Sequence, residues 1–208
     1  MGKEYEAKFL DIDKKKMIKI LKKIGAKKVH KDIKLVRAVY ELCNAKVTGY
    51  ARVRDEGYGV TMTTKIYENP NYPDEYEVKI AEDFETGKAF LESLNLTKKA
   101  YQESYREKWK HPKAHEITFD TLPGLPTYME IDCDSEDNLK YMIKKLGVDE
   151  SKKRYGAFDR TYNEYYDIPN EVINRKTPFL TFKNIEKEIK PKKNKDMLKK
   201  IAKEQKNM

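Results

Sequence analysis

The chain has 208 residues, of which 38% are charged and 38% hydrophobic, and its formal net charge is +9. No apolar run approaches the roughly 20 residues of a membrane-spanning helix, and Cys43 and Cys133 are too few for a disulfide framework. Its first ten residues, MGKEYEAKFL, lack the apolar core of a secretory signal. We therefore expect a soluble cytoplasmic protein.

A unit made of an acid-bearing strand and a following helix occurs three times along the chain. The predicted strand and helix pairs are 3–9 with 12–24, 75–80 with 84–94, and 127–133 with 136–146. Asp83 and Ser135 are suitable N-caps for the second and third helices, and Gly25 and Gly147 are suitable ends for the first and third.

Strand-like segments of alternating character lie between these units. They are rich in Tyr, Val and Thr and cover residues 34–43, 49–55, 59–67, 101–110 and 115–121. Because the strands do not alternate regularly with helices, a parallel doubly wound sheet is disfavoured. The pattern favours an antiparallel sheet or barrel with helices on its outside.

The excess of positive charge lies mostly at the C-terminus. Residues 183–208 contain ten lysines and four acids, a net charge of +6, which leaves residues 1–182 with +3 of the total +9. This composition predicts a solvated basic helix. Its charge would also suit nucleic acid or an acidic partner, and the sequence leaves that choice open.

Charged and apolar side chains occupy opposite faces of the predicted strands. For example, Glu4, Glu6 and Lys8 share a face opposite Ala7 and Phe9. The same separation holds for Arg52 and Arg54, for Glu75, Glu77 and Lys79, for Glu116 and Asp120, and for Glu130 and Asp132. A half-buried sheet with a solvated outer face would show this alternation too. The polar faces are almost purely ionic, however, so we favour apolar faces covered by helices and charges lining a lumen.

Such a lumen would suit a metal-bound polyphosphate. Carboxylates two residues apart on a strand are suitable ligands for Mg²⁺ or Mn²⁺, and Arg and Lys bind phosphate oxygens. The three histidines, His30, His111 and His115, lack zinc-ligand spacing. A GxxxxGK loop is absent, which argues against a P-loop enzyme.

Six motifs in order carry a family resemblance. They are Glu4-Tyr5-Glu6-Ala7-Lys8, Arg52-Val53-Arg54, Thr63-Thr64-Lys65, Glu75-Tyr76-Glu77, a strand at 101–107 that contains Arg106, and Asp120 followed by Glu130-Ile131-Asp132. Together they resemble the CYTH superfamily, the triphosphate tunnel metalloenzymes, over residues 3–166. The likeness is closest to the class IV adenylyl cyclase-like branch. Pro126 and Asp132 depart from the family pattern, which often has Gly and Glu at these positions.

The resemblance implies an α+β fold in which an eight-stranded antiparallel barrel encloses a tunnel and helices pack outside. It implies Mg²⁺ or Mn²⁺ as the cofactor, with Glu4, Glu6, Asp120, Glu130 and Asp132 as metal ligands. It implies that the substrate is bound by Lys8, Arg37, Arg52, Arg54, Lys65, Lys79, Arg106 and Arg154, with catalysis carried by Glu4, Glu6, Lys8, Lys65 and Arg106. Glu75 and Glu77 either join this substrate site or pair with neighbouring bases.

The implied activity is metal-dependent hydrolysis of the terminal phosphoanhydride of a nucleoside, other organic or inorganic triphosphate. The alternatives are a class IV-type adenylyl cyclase, an RNA 5′-triphosphatase and a non-catalytic protein that binds a phosphorylated ligand. The expected organisation is a tunnel domain at 1–166, a wrapping segment at 167–182 and the basic tail at 183–208. The interpretation is compatible with a homodimer.

Overall fold

A large antiparallel sheet organises the chain, seen in a computed structural model that describes residues 2–3, 5–44, 46–68, 73–156 and 158–206. Its strands are β1 Gly2–Lys3, β2 Tyr5–Phe9, β3 Lys27–Glu41, β4 Gly49–Asp55, β5 Val60–Ile66, β6 Asp74–Ile80, β7 Lys98–His111, β8 Ala114–Thr121, β9 Tyr128–Cys133 and β10 Phe179–Leu180. The α-helices are α1 Lys14–Lys23, α2 Phe84–Ser93, α3 Glu136–Leu146, α4 Asp159–Tyr166, α5 Asn170–Arg175, α6 Ile185–Glu188 and α7 Lys195–Gln205.

The two ends of the sheet meet at the N-terminus. The strand order is β1-β6-β5-β4-β3-β7-β8-β9-β2, and every neighbouring pair in it is antiparallel. The end strands β1 and β2 follow one another in the chain on either side of position 4. Covalent continuity, rather than a hydrogen-bonded ladder among the described residues, therefore brings the ends together. Counted as one N-terminal segment, β1 and β2 give the eight antiparallel strands that the sequence predicts.

The helix-capping predictions are confirmed. The Asp83 side chain accepts from Thr86 N at 2.7 Å, and Ser135 Oγ accepts from Asn138 N at 3.2 Å. Gly147 follows α3 with φ of 66°, a left-handed conformation that favours glycine. These caps fix where the outer helices begin and end.

Apolar side chains on the outer face of the sheet pack under helices. Ile117 and Ile131, on β8 and β9, are fully buried with Leu21 of α1 and Met142 of α3. Leu91 of α2 covers the outer face of β4 in a separate cluster. The hydrophobic cores therefore lie outside the sheet, which leaves its inner face to the charged residues.

The outer face of β6 differs from the expectation that every strand's apolar face is covered. Tyr76 and Val78 are 50% and 53% exposed. Helix α2 packs mainly on β4 and β5, and its Gly87 lies close to Ile80 at the end of β6. The prediction of a helix-covered outer face is wrong for β6, because α2 is centred on the neighbouring strands β4 and β5.

The basic C-terminal segment is packed against the body rather than fully solvated. Ile185, Ile189, Leu198 and Ala202 are buried in a third cluster, while Lys199 on the same helix is exposed. The expectation of a solvated helix is therefore wrong for the apolar face of α7. The few apolar residues of α7 stand among many lysines, so the sequence gives little indication that one face of the helix is buried. No helix in the described ranges has the length and apolar character needed to cross a lipid bilayer.

Because the hydrophobic cores lie on the outer face of the sheet, we predict that two truncations of outward-facing apolar side chains change the free energy of unfolding by different amounts. Ile131→Ala should lower the free energy of unfolding by about 2–5 kcal/mol, because it opens a cavity between β9 and the helices. Val78→Ala, on the exposed face of β6, should change it by less than about 0.5 kcal/mol. Urea unfolding followed by circular dichroism measures both, and equal losses would contradict the proposed position of the core.

Candidate functional site

The inner face of the sheet lines a charged tunnel. Two adjoining cavities of about 350 and 610 Å³ lie along it. They share the lining residues Glu6, Arg52, Arg54, Lys65, Arg106 and Glu130. Strand alternation points these side chains inward, opposite the buried outer residues. The expectation of an ionic lumen is thus met by the geometry.

Lys8 joins two carboxylates on neighbouring strands. Its Nζ lies 3.1 Å from Glu6 Oε1 and 2.9 Å from Glu130 Oε2, and it also donates to Gly156 O at 2.8 Å. Burial acts to lower the pKa of Lys8, but Glu130 and Glu6 outweigh it and hold that pKa well above 10.5. Burial opposes ionisation of Glu130 as well, yet Lys8 and Arg106 lower its pKa to about 2. Lys8 and Glu130 are therefore both charged at neutral pH.

Arg106 and Asp120 form a two-pronged ion pair between β7 and β8. Arg106 Nε and Nη2 donate to the two Asp120 carboxylate oxygens at 2.6 and 2.8 Å, and Thr118 Oγ1 donates to the same carboxylate at 2.9 Å. Such a fork is among the stronger charge-assisted contacts. The Asp120 carboxylate therefore accepts three hydrogen bonds from protein groups, and its role as a metal ligand stays a prediction.

Bases and acids also alternate across β4, β5 and β6. Arg52 Nη2 lies 3.1 Å from Glu75 Oε1, and Lys65 Nζ lies 3.0 Å from Glu75 Oε2. Glu77 Oε2 lies 3.3 Å from Arg52 Nη2 and 3.4 Å from Arg54 Nη2. The two glutamates therefore neutralise neighbouring bases, which agrees with the structural pairing that the sequence offered as one alternative for them.

Arg37 is a half-buried cation that has no acidic partner among the described residues. Its Nε donates to Gln102 Oε1 at 2.7 Å, and its guanidinium carbon lies 4.7 Å from the centre of the Phe158 ring. In the ladder it stands directly opposite Arg54, a like-charge pair. Burial, and secondarily Arg52 and Arg54, lower the pKa of Arg37 to about 10. The group stays charged at neutral pH, so this end of the tunnel favours an anion.

Asp132 presents the opposite imbalance. It lies directly across from Glu6 on β2 and from Glu116 on β8, and no ion pair reaches it from the described residues. Burial, then Glu6, Glu116 and Glu130, raise its pKa to about 8. A carboxylate crowded by other carboxylates favours a cation beside it.

The donor chemistry of this wall fits a hard divalent cation. Glu6, Glu130 and Asp132 project from the adjacent strands β2 and β9, and carboxylate oxygens are the ligands that Mg²⁺ and Mn²⁺ prefer. Over the described ranges, three such groups do not yet converge on one point. Lys8 separates Glu6 from Glu130, so metal binding would require that ammonium to move.

The remaining predicted residues occupy other places. Glu4 lies outside the described residues. Lys79 is exposed at the end of β6 and lines neither tunnel cavity. Arg154 pairs through two hydrogen bonds of 2.9 Å with Glu164 and lines a side cavity next to Lys8. The structure therefore keeps Lys79 away from the tunnel, and it places Arg154 beside Lys8 at the side cavity but not in the tunnel itself.

Sequence reasoning missed several lining residues. Tyr128 lies on the inner face of β9, and the period of two that identified Glu130 could have found it. Phe158 lines the tunnel from the segment just before α4, and Asn170 and Asn174 line it from α5. Their position depends on how the C-terminal segment folds back, for which the sequence has no local signal.

Comparison with known proteins places this architecture in a family. Residues 2–162 match the model described as the CYTH domain. No curated protein matches the chain. Among solved structures, a conserved hypothetical protein from Pyrococcus furiosus is similar with a TM-score of 0.62 and 18% identity, over 74% of this chain and 97% of that one.

Two further solved structures share the fold. A candidate adenylate cyclase from Vibrio parahaemolyticus has a TM-score of 0.63 and 14% identity, over 76% of this chain and 97% of its own. A candidate adenylyl cyclase from Hippeastrum, described as having a dominant triphosphatase activity, has a TM-score of 0.50 and 12% identity, over 79% of this chain and 95% of its own. At these identities the likeness is one of fold. With the family model covering most of the chain and an inward-facing ionic tunnel inside the sheet, the protein belongs to the CYTH domain family.

Proposed function

We propose that this protein is a divalent-metal-dependent triphosphatase that hydrolyses the terminal phosphoanhydride of a triphosphate substrate. The observation that carries the proposal is the pair of opposite charge imbalances in one tunnel. Within the described residues, Arg37 is a half-buried cation without an acidic partner, and Asp132 is a carboxylate that faces other carboxylates without a basic partner. A metal-bound triphosphate supplies both missing charges at once.

The acidic wall is the proposed metal site. CYTH proteins are metal-dependent in general, and Glu6, Glu130 and Asp132 would hold Mg²⁺ or Mn²⁺ here. When bound, the metal supplies positive charge that neutralises and orients phosphate oxygens. Glu4 precedes Glu6 by two positions in the sequence, so it stays a predicted fourth ligand.

The basic groups would hold the phosphate chain. Arg37, Arg52, Arg54 and Lys65 lie on one side of the tunnel, and Arg106 lies on β7 next to Asp120. Most of these bases pair with carboxylates of the protein. A triphosphate would therefore exchange protein ion pairs for phosphate contacts, which limits the loss of solvation when it binds.

Hydrolysis follows from positioning and charge neutralisation. Phosphoryl transfer requires little covalent chemistry from the protein, so its main tasks are aligning the phosphate and stabilising developing charge. Here the bases would hold the three phosphates in line along the tunnel. Water would attack the terminal phosphorus, and a diphosphate would leave.

A product assay tests this reaction. ATP, GTP, thiamine triphosphate, tripolyphosphate and a 5′-triphosphate RNA are each incubated with Mg²⁺ or Mn²⁺, and the phosphorus-containing products are separated. Orthophosphate with the matching diphosphate supports the proposal. Cyclic AMP with pyrophosphate would replace it with cyclase chemistry, and absence of turnover with tight binding would indicate a ligand-binding protein.

Glu6→Gln should lower kcat by about 10²-fold or more, since it removes a charge from the proposed metal site. The fold should persist, because Lys8 keeps Glu130 and Lys65 keeps Glu75 as partners. The matched control is Glu77→Gln on the opposite wall, where we expect a change under about tenfold. If Glu6→Gln turned over substrate at the wild-type rate, the assignment of the metal wall would be wrong.

The variant Asp132→Asn tests the proposed metal site through thermal stability, without an activity assay. The pKa of Asp132 is raised from 3.8 to about 8, so its stabilising contribution is present below pH 3.8 and is lost as pH rises towards and through 8. In EDTA at pH 8 the variant should therefore melt more than about 3 °C above wild type, with a smaller difference at pH 5.

The control for this measurement is Asp134→Asn, because Asp134 is exposed. It should not raise the Tm at pH 8. Added Mg²⁺ should raise the Tm of wild type more than that of Asp132→Asn. An identical response of the two proteins to pH and to Mg²⁺ would contradict the proposed cation site.

A further inference from the structure

The turn that joins β8 to β9 is held by side chains from the C-terminal helices. Tyr162 Oη of α4 donates to Pro123 O at 2.6 Å, and Tyr166 Oη, also on α4, donates to Gly124 O. Residues 122–125 are buried, so their backbone groups depend on protein partners. Within the turn, Leu125 N donates to Leu122 O, and side chains from outside the turn supply the hydrogen bonds to Pro123 O and Gly124 O.

Gln205, on the last turn of α7, satisfies three further backbone groups of this turn. Its Oε1 accepts from Gly124 N at 2.7 Å, and its Nε2 donates to Leu122 O at 3.1 Å and Leu125 O at 2.9 Å. The side chain is 5% exposed. An amide is well suited to this task, because it presents an acceptor and two donors in one plane.

Packing at Gly124 makes this contact specific. Gly124 has φ of 73°, and a Cβ built there would lie 2.6 Å from Leu198 Cδ1 and 2.9 Å from Ile185 Cγ1. The C-terminal helices thus press directly on the turn backbone. The turn has little freedom to shift while α6 and α7 are in place.

The same turn determines where two tunnel strands begin and end. Asp120 lies two residues before Leu122, and Tyr128 begins β9 three residues after Leu125. Asp120, Leu122 and Tyr128 all line the tunnel cavity. Asp120 in turn holds Arg106 through two hydrogen bonds. A displacement of the turn would therefore reach the guanidinium that is proposed to bind phosphate.

We propose that Gln205 is a positioning residue that sets the β8–β9 turn and, through Asp120, the orientation of Arg106 in the tunnel. The proposal rests on the proposed triphosphatase function. Gln205 lies beyond residues 2–162 that match the CYTH domain, so this device belongs to the C-terminal extension of the chain. The segment that supplies the charge excess therefore also supports the turn from which Leu122 lines the tunnel.

The test is Gln205→Met in the full-length chain, because Met is close to Gln in size and cannot form these three hydrogen bonds. At a temperature where circular dichroism shows it folded, its kcat should fall about tenfold or more, and amide exchange should rise at Gly124 and through residues 118–130. Lys199→Ala, on the exposed face of α7, should leave kcat and exchange unchanged.

A destabilised comparator separates positioning from stability. Leu91→Ala lowers stability in the distant α2 cluster, and it should keep wild-type kcat where it is folded. If Gln205→Met also kept wild-type kcat, or if Leu91→Ala lost as much as Gln205→Met, the positioning role would be overturned. Should Gln205→Met not fold, Tyr166→Phe removes one hydrogen bond to Gly124 O and takes its place in the same comparison.

If the wild-type protein hydrolysed no triphosphate, the proposed function would be wrong, but the structural role of Gln205 would still be open to test. The exchange measurement would then still decide whether Gln205 holds the turn. Increased exchange confined to the turn, without change in β8 or β9, would show that the turn does not transmit to Asp120 and would overturn the proposal.

Discussion

Mutual neutralisation of charges inside the tunnel is the constraint on which the rest of this structure depends. Lys8 lies between Glu6 and Glu130, and Arg106 pairs with Asp120. Burial acts against the charges of Lys8, Glu130 and Arg106, and the opposite charges beside them shift each pKa the other way, so that these three groups stay ionised. Removing one member of such a buried pair usually destabilises a protein, since it leaves the other charge uncompensated. The tunnel therefore exists as a network rather than as independent side chains.

This network requires a sheet whose charged side chains face inward and whose apolar side chains face outward. Charges can face inward only if the apolar faces find cover outside, and α1, α2 and α3 supply most of that cover. The C-terminal helices close one end of the sheet through a third cluster around Tyr162 and Tyr166. Fold and site are thus consequences of one separation of polar and apolar faces along each strand.

Much of this was predictable from periodicity. A period of two identified the inner faces carrying Glu6, Arg52, Glu75 and Glu130, and capping residues located the three outer helices. These features are local, so the sequence expresses them directly. The order of the motifs then implied how many strands the sheet contains.

Features that depend on distant parts of the chain were not predictable. The family resemblance implies roles for Arg37 and Asp132, but only the strand pairing reveals that Arg37 faces another base and that Asp132 faces other acids. Gln205 lies in a lysine-rich segment that resembles a solvated tail. Its role appears once α7 packs beside a turn about 80 residues earlier in the chain.

The central claim is that a cation and a triphosphate complete the tunnel together, and calorimetric titration of a non-hydrolysable triphosphate analogue tests it most directly. The titration is performed once with Mg²⁺ and once with EDTA. The account predicts at least about tenfold tighter binding with Mg²⁺, or about 1.4 kcal/mol, and an equal gain in Mg²⁺ affinity when the analogue is present. Equal dissociation constants in Mg²⁺ and in EDTA would contradict it.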